Sequence, residues 1–481
     1  MIIIEKLNET FLKIRAEQSA LNEIKDAFSY FTPNFQFDPR FKTTPWNGKK
    51  SLLDLRNNTF YCGLMPELAK WLDDNNYEYM LKGRFNAQNF SEIEALQFIE
   101  TLGLPAHIKV RDYQLKYFIK SVRNQRAILL SPTASGKSLI IYLIFRYFNK
   151  KTLLIVPTVS LVSQMFDDFK EYGYNSEGNI HKVFSGQDKS TNKLLTISTW
   201  QSVYEQNRNY FENFRVVVGD EAHGFAATSL VKIMKLMTNT PVRVGLTGTL
   251  PPEELTNQTI KGLFGPVTQF VTTKQLQDQN ILAPMTIKAI VLKHEECPYS
   301  GNVFKPPYQD EITYLVTDEG RNKFLMNLAL SLKGNTFVMF RIIDHGKALY
   351  EEISKRSKIP VFYVDGQTPA DEREEIRKQV ENLKDSITIC SSVFTTGINI
   401  KSINNIIFTH PHKGRVKILQ SIGRGLRMKK GKLDLTLFDI ADDICDNVRN
   451  YTLSHFKERL KIYKSEEFYV KFYKVDLKYK G

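Results

Sequence analysis

Three short stretches of this chain carry residue types whose spacing could do chemistry on phosphate. The first is Ser131-Pro132-Thr133-Ala134-Ser135-Gly136-Lys137-Ser138, which follows the apolar run Ala127–Leu130 and opens a stretch with helical character, Leu139–Phe148. At such a junction loop amides and a helix N-terminus converge on anionic oxygens, and a lysine reaches the β and γ phosphates of a nucleotide. The Ser138 hydroxyl would sit on Mg²⁺. The general pattern begins with glycine where Ser131 stands, and a small residue is tolerable there. Thr133, Ala134, Ser135, Gly136, Lys137 and Ser138 are therefore expected to bind the phosphates of a nucleotide. The bland alternative is a chance Gly-Lys-Ser at a strand–helix turn.

The second stretch is Val216-Val217-Val218-Gly219-Asp220-Glu221-Ala222-His223. An apolar strand ending in adjacent carboxylates sets them at the carboxyl edge of a sheet, where open α/β sheets bind ligands. Asp220 would hold Mg²⁺ through water, and Glu221 would orient and deprotonate an attacking water. Alone, the pair would read as a solvated helix cap; downstream of a phosphate loop, that reading loses ground. The third is Gln420-Ser421-Ile422-Gly423-Arg424-Gly425-Leu426-Arg427. Arg424 and Arg427 are three apart, so on a helix they would share one face. They could reach γ-phosphate oxygens across a domain cleft, a contact that contributes roughly 10³–10⁵ in rate, or they could be a basic face on a basic protein.

The elements that must position these residues follow from pattern. Short β-rich runs at Ala127–Leu130, Thr152–Val156, Leu194–Ser198, Val216–Gly219 and Val242–Leu246 alternate with helical stretches, which predicts a parallel sheet buried on both faces. A second set follows at Thr336–Phe340, Val361–Val364, Ile387–Cys390, Asn405–Thr409 and Leu433–Asp439. Residues 1 to about 100 read as a small α/β module, with strands at Ile2–Ile4 and Phe11–Ile14 and helices around Ala20–Phe31 and Pro66–Asn75. The Asn47-Gly48 turn precedes a stretch that alternates like a strand. The break from Lys293 to Asp318, with Pro298, Gly301 and Pro306-Pro307, is a linker or an inserted loop. The expected division is 1–100, 101–280 and 281–481.

Composition narrows the class. At 481 residues the chain is too long for one ordinary core. Hydrophobic residues at 42% and charged residues at 25% exclude a disordered or fibrous chain. The net charge of +14 favours a polyanionic partner. Lys413–Gly481 alone carries 17 Lys and Arg against 9 Asp and Glu. Cys62, Cys297, Cys390 and Cys445 are scattered singly, without metal-ligand spacing, and fit a reducing compartment. No run approaches the roughly 18 apolar residues of a membrane span. The chain is expected to be cytoplasmic, with no membrane partner and no zinc site.

As an ordered set, these motifs resemble those of the superfamily 2 helicases. Arg111-Asp112-Tyr113-Gln114 is similar to the element that reads adenine, with Gln114 on the base. Pro157-Thr158 with Leu161 and Gln164, and Ser198-Thr199-Trp200-Gln201-Ser202, are similar to motifs Ia and Ib. Leu246-Thr247-Gly248-Thr249-Leu250 stands at motif III, Val338-Met339-Phe340-Arg341 at motif IV, Thr395-Thr396-Gly397-Ile398-Asn399 at motif V and Gln420–Arg427 at motif VI. Gly248 and Asn399 depart from the alanine and aspartate of many relatives. The resemblance implies two RecA-like parallel-sheet domains sandwiching ATP and Mg²⁺. Lys137, Asp220, Glu221, Arg424 and Arg427 would be catalytic, with Ser138 and Asp220 on the metal. Arg111, Gln114 and Gly397 would complete the nucleotide site, and Thr158, Gln201, Arg341 and Thr395 would hold nucleic acid.

Phe37-Asp38-Pro39-Arg40-Phe41, Trp46-Asn47-Gly48-Lys49, Phe337–Phe340, His345–Ala348 and Val393–Ile398 are similar to the UvsW family of phage helicases. That likeness implies a recombination and repair helicase, active in the host cytoplasm if phage-encoded. Such an enzyme unwinds Holliday junctions, stalled forks and the RNA–DNA hybrids of R-loops, anneals strands and moves 3′ to 5′. Its partners would be branched duplex, single-stranded DNA and RNA–DNA hybrid, bound by a monomer.

In the N-terminal module Phe35, Phe37, Phe41 and Trp46 beside Arg40, Lys42, Lys49 and Lys50 could stack on bases, or the aromatics could form the module's own core. The same choice holds for the tail at Lys461, Tyr463, Lys464, Lys471, Tyr473, Lys474 and Lys478. An RNA helicase, a duplex translocase that never separates strands, and an ATP-gated annealing scaffold remain alternatives. Retention of Lys137, Asp220, Glu221, Arg424 and Arg427 argues against a dead scaffold.

Overall fold

The structure is a computed structural model that describes residues 1–85, 88–184, 188–189, 191–294, 299, 306–391, 402–410, 434–445 and 448–477. The chain divides into one compact unit spanning Met1–Phe270, apart from Pro132–Ser135, and another spanning Val271–Gly481.

The first unit begins with β1 (Ile2–Lys6), β2 (Phe11–Arg15), β3 (Ser29–Phe31), β4 (Lys49–Ser51), β5 (Thr59–Tyr61) and β6 (Tyr79–Lys82). Strands β5-β2-β1-β6 form a mixed sheet, with β6 parallel to β1 and the other pairs antiparallel. Ile2 and Ile4 alternate inward with Leu12 and Ile14, as half-buried strands require. The helix expected over Ala20–Phe31 occupies Gln18–Ala27 instead, and its last residues become β3. The cause is tertiary: Ser29–Phe31 pairs with β4, just past the Asn47-Gly48 turn, where Gly48 adopts φ +80°.

This module shares its core with the parallel sheet built from residues 126–268. Ile4, Leu12, Phe60 and Leu68 belong to the same buried cluster as Ile128, Val217, Phe225 and Phe264. The turn Cys62–Leu64 approaches the helix Glu254–Phe264 so closely that a Cβ on Gly63 would lie 2.1 Å from the Lys261 carbonyl. Fully buried Arg243 donates from Nη2 to Thr10 Oγ1 (2.8 Å) and from Nε and Nη1 to the carbonyls of Thr240 (3.1 Å) and Met234 (3.2 Å). The apolar core thus runs without a break across residue 100.

The motor-like pattern forms β7 (Arg126–Leu130), β8 (Thr152–Val156), β9 (Ile180–Val183), β10 (Leu195–Thr199), β11 (Val216–Asp220), β12 (Val242–Thr247) and β13 (Val267–Thr268). They build an all-parallel sheet in the order β13-β7-β12-β11-β8-β10-β9. Every strand therefore ends on the same edge.

The second unit repeats the plan with β14 (Met285–His294), β15 (Asn335–Phe340), β16 (Val361–Val364), β17 (Ser386–Ser391), β18 (Ile403–Phe408), β19 (Leu435–Asp443) and β20 (Tyr469–Leu477). Its order is β16-β17-β15-β18-β19-β14-β20, again all parallel. Two of these strands were not anticipated. β14 directly precedes the expected break, and the basic-aromatic tail becomes edge strand β20 against β14. Tyr463 is not available to nucleic acid at all. It is fully buried and its hydroxyl donates to Asp439 at 2.8 Å. Among the described residues no helix is long and apolar enough to cross a membrane.

Candidate nucleotide and nucleic-acid site

Five sequence features converge on the carboxyl edge of the first sheet because β7, β8, β10, β11 and β12 all end there. The loop after β7 is pinned where the Ser131 amide donates to the Thr247 carbonyl of β12 (2.8 Å). Within it, Ala134 (φ +66°) and Gly136 (φ +80°) take left-handed conformations, Ser135 is buried, and Thr133 is half-buried. Gly136 then caps the helix Lys137–Phe148. A Cβ there would meet the end of the Gln114 side chain, Nε2 at 2.5 Å, and the left-handed φ is what favours glycine. Buried Gln114 donates from Nε2 to the Gly136 carbonyl (3.3 Å) and accepts at Oε1 from the Arg111 amide (2.9 Å). Arg111 is exposed ahead of its helix, with Nη1 donating to the Tyr113 hydroxyl at 3.2 Å.

The charged centre lies at the ends of β7 and β11. Lys137 Nζ stands 3.7 Å from Glu221 Oε1. Asp220 is buried, and burial followed by the neighbouring Glu221 carboxylate pushes its carboxyl up to about 6, against the pull of Lys137. Lys137 Nζ and Asp220 Oδ1 are both buried without a hydrogen-bond partner among the described residues. Orphaned buried polar atoms are rare in folded proteins and mark places where a ligand or ion completes the set. The oxygen donors Asp220 and Ser138 are of the hard type that suits Mg²⁺, so these residues fit that ion. Glu221 itself holds φ +54°, a strained conformation for a non-glycine residue and one typical of functional sites.

His223 links this centre to β12. Its Nδ1 lies 3.0 Å from Thr247 Oγ1 and 3.3 Å from Glu221 Oε2. The Thr247 hydroxyl donates to the Thr249 carbonyl (2.8 Å), which leaves its oxygen to accept from a protonated His223 Nδ1. One contact at this site escaped the sequence reading: the Ser138 hydroxyl lies 2.8 Å from the hydroxyl of Tyr172. Nothing local in the sequence signals it, because the two are 34 residues apart.

Thr158 caps the helix Val159–Glu171 after β8, accepting from the Leu161 amide at 3.4 Å. Gln201 is exposed in the short helix Trp200–Val203 after β10. Because Val156 and Thr199 pair across β8 and β10, Thr158 and Gln201 stand on neighbouring strand ends. In the second unit, Arg341 is exposed immediately after β15. Thr395, Gly397, Arg424 and Arg427 lie outside the described residues.

The N-terminal set is separate from this edge. Arg40 donates to both Asp38 oxygens (3.1 and 2.7 Å), and its guanidinium lies over the Trp46 ring at 4.8 Å. The Trp46 indole donates to the Lys49 carbonyl (2.7 Å). Phe35 stacks on Phe31 and meets Phe41 edge-on, a small half-exposed cluster, whereas Phe37 is 83% exposed. Phe31, Phe35 and Phe41 thus pack together outside the module's buried core, which includes none of the four aromatics Phe35, Phe37, Phe41 and Trp46.

Comparison with known proteins places these features in context. Residues 4–82 match the family model "DNA helicase UvsW, N-terminal", residues 107–252 "Type III restriction enzyme, res subunit", and residues 320–429 "Helicase conserved C-terminal domain". The chain is 31% identical over 486 residues to the ATP-dependent DNA helicase uvsW of Enterobacteria phage T4, covering 95% of this chain and 96% of that one. It is 24% identical over 404 residues to the DNA 3'-5' translocase XPB2 of Sulfurisphaera tokodaii, covering 75% and 90%. The crystal structure of T4 UvsW aligns over 99% of this chain and 100% of that one, with TM-score 0.52 and 28% identity. A restriction-enzyme HsdR fragment from Vibrio vulnificus shares the fold at TM-score 0.57 and 17% identity, over 79% of this chain and 71% of that one.

Proposed function

The chain belongs to the UvsW helicases, ATP-dependent DNA helicases of superfamily 2, and from that membership we propose that it remodels branched DNA during phage recombination, repair and replication. The substrates are Holliday junctions, stalled forks and R-loops, worked on by a monomer in the host cytoplasm. The observation that supports this reading best is the Lys137–Glu221–Asp220 group, in which Asp220 is buried and Lys137 Nζ and Asp220 Oδ1 have no hydrogen-bond partner among the described residues.

Each residue then has a task. Lys137 contacts the β and γ phosphates of ATP, which the backbone from Thr133 to Gly136 cradles. Ser138 and Asp220 hold Mg²⁺, which when bound neutralises charge on the phosphates. Glu221 orients the attacking water and takes its proton, steadied by His223 at 3.3 Å. Arg111 and Gln114 receive the base. Arg424, Arg427 and Gly397 supply the remaining nucleotide contacts, as the family's motifs V and VI do. Thr158, Gln201, Arg341 and Thr395 grip the phosphate backbone, which positions a strand without reading its sequence.

Arg40, Trp46, Lys49 and exposed Phe37 engage the branch point. The division 1–100, 101–280 and 281–481 is proposed as one of tasks, because the first two parts share one core. Deleting the first part would strip that core, so point substitutions test it better. Trp46→Ala and Phe37→Ala should weaken binding to a fork more than to a single strand.

Strand displacement on forked DNA, an R-loop and an RNA duplex decides the substrate. Wild type should resolve the first two at the expense of ATP, and Lys137→Ala neither. ATP turnover on duplex DNA without displacement would replace this reading with a translocase.

A further inference from the structure

We propose that Tyr172 is a positioning residue that orients the Ser138 hydroxyl toward Mg²⁺. This rests on the proposed role of Ser138 as a metal ligand. A serine that coordinates a cation must turn an oxygen lone pair to the metal and send its proton elsewhere. The Tyr172 hydroxyl, 2.8 Å from Ser138 Oγ, is the acceptor that fixes that rotation.

Tyr172 is built to hold its place. It ends the helix Val159–Glu171, with its amide donating to the Asp168 carbonyl at 3.0 Å. Its ring is buried against Tyr142 (centroids 5.3 Å) and Phe169 (6.3 Å). A rigid aromatic wall thus delivers one oxygen to a helix whose first residues are Lys137 and Ser138. Tyr172 is the C-cap of the helix that Thr158 caps at its other end, so its backbone is anchored to a helix terminus.

Tyr172→Phe keeps the ring and removes only the hydroxyl. The readout is the affinity of a fluorescent ADP analogue for the full chain, with saturating Mg²⁺ and with a chelator, beside the Mg²⁺ concentration at half-maximal ATP turnover. Wild type should gain affinity when Mg²⁺ is present. In Tyr172→Phe that gain should shrink about tenfold, the size expected when an outer partner of a metal ligand is lost, while metal-free affinity stays as in wild type. Half-maximal turnover should then need correspondingly more Mg²⁺. Equal losses with and without Mg²⁺, or no change in either, would overturn the proposal. Ser138→Ala separates the two levels of the argument. If it diminishes the Mg²⁺ gain and Tyr172→Phe does not, only the positioning role falls. If Ser138→Ala leaves the gain intact, the metal role of Ser138 falls and this inference with it.

Discussion

The two seven-stranded sheets bury acidic residues in opposite ways. At the end of β11, Asp220 lies beside a second carboxylate with one oxygen unpartnered, and its carboxyl is pushed up to about 6. Along β19, Asp439 and Asp442 are equally buried but fully engaged. Asp439 accepts from Arg459 Nε (2.9 and 3.0 Å) and from the Tyr463 hydroxyl (2.8 Å). Asp442 accepts from Arg321 Nε at 2.8 Å and lies 3.1 Å from His294 Nε2. Burial alone would raise the Asp442 carboxyl, but Arg321 and His294 outweigh it and hold it well below the usual range. A closed network rigidifies a core, whereas an open one stores the capacity to bind a charged ligand. One architecture thus puts the same residue type to opposite uses.

That contrast can be broken with four variants at three residues. Glu221→Gln should lower ATP turnover by about 10²–10⁴, the range for losing a general base, while the thermal midpoint holds or rises. A variant that unfolds along with losing activity would make the first cluster structural too. Asp442→Ala should destabilise the second unit by about 3–5 kcal/mol, since it leaves Arg321 buried without its carboxylate. Urea unfolding of the full chain measures this, and a cost near zero would mean the network is ornamental.

The pH dependence has a defined sign. Asp442 is more acidic folded than its ordinary value of 3.8, so its contribution is complete above about pH 4 and is lost as pH falls further. Acid unfolding of Asp442→Asn should therefore be shallower than that of wild type; equal slopes would assign the acid sensitivity to other carboxylates. The smallest effect is Tyr463→Phe, about 1 kcal/mol for one buried hydrogen bond. Fork binding should be unchanged in that variant, and a loss of binding by gel shift would return Tyr463 to the nucleic-acid surface.

Strands β7, β8, β10, β11 and β12 could be read from the sequence to within a residue at either end, because parallel strands covered on both faces are near-continuous apolar runs. Ser29–Phe31 and Tyr469–Leu477 could not. Each is a strand only by virtue of a distant partner, β4 in one case and β14 in the other. The site divides similarly. Lys137, Ser138, Asp220 and Glu221 announce themselves through spacing that phosphate chemistry requires. Arg243 on Thr10 and Tyr172 on Ser138 do not, since neither pair has a local pattern.

By itself, then, the sequence picked out the candidate nucleotide-site groups and determined the α/β order that carries them, because both depend on short-range geometry: a loop feeding a helix, a strand ending in carboxylates. Only the tertiary structure decided which buried charges are left open and which are closed, that residues 1–72 and 128–264 share one core, and which hydroxyl meets Ser138. Those are questions of which side chains meet across the fold, and pairing at long range is set by packing.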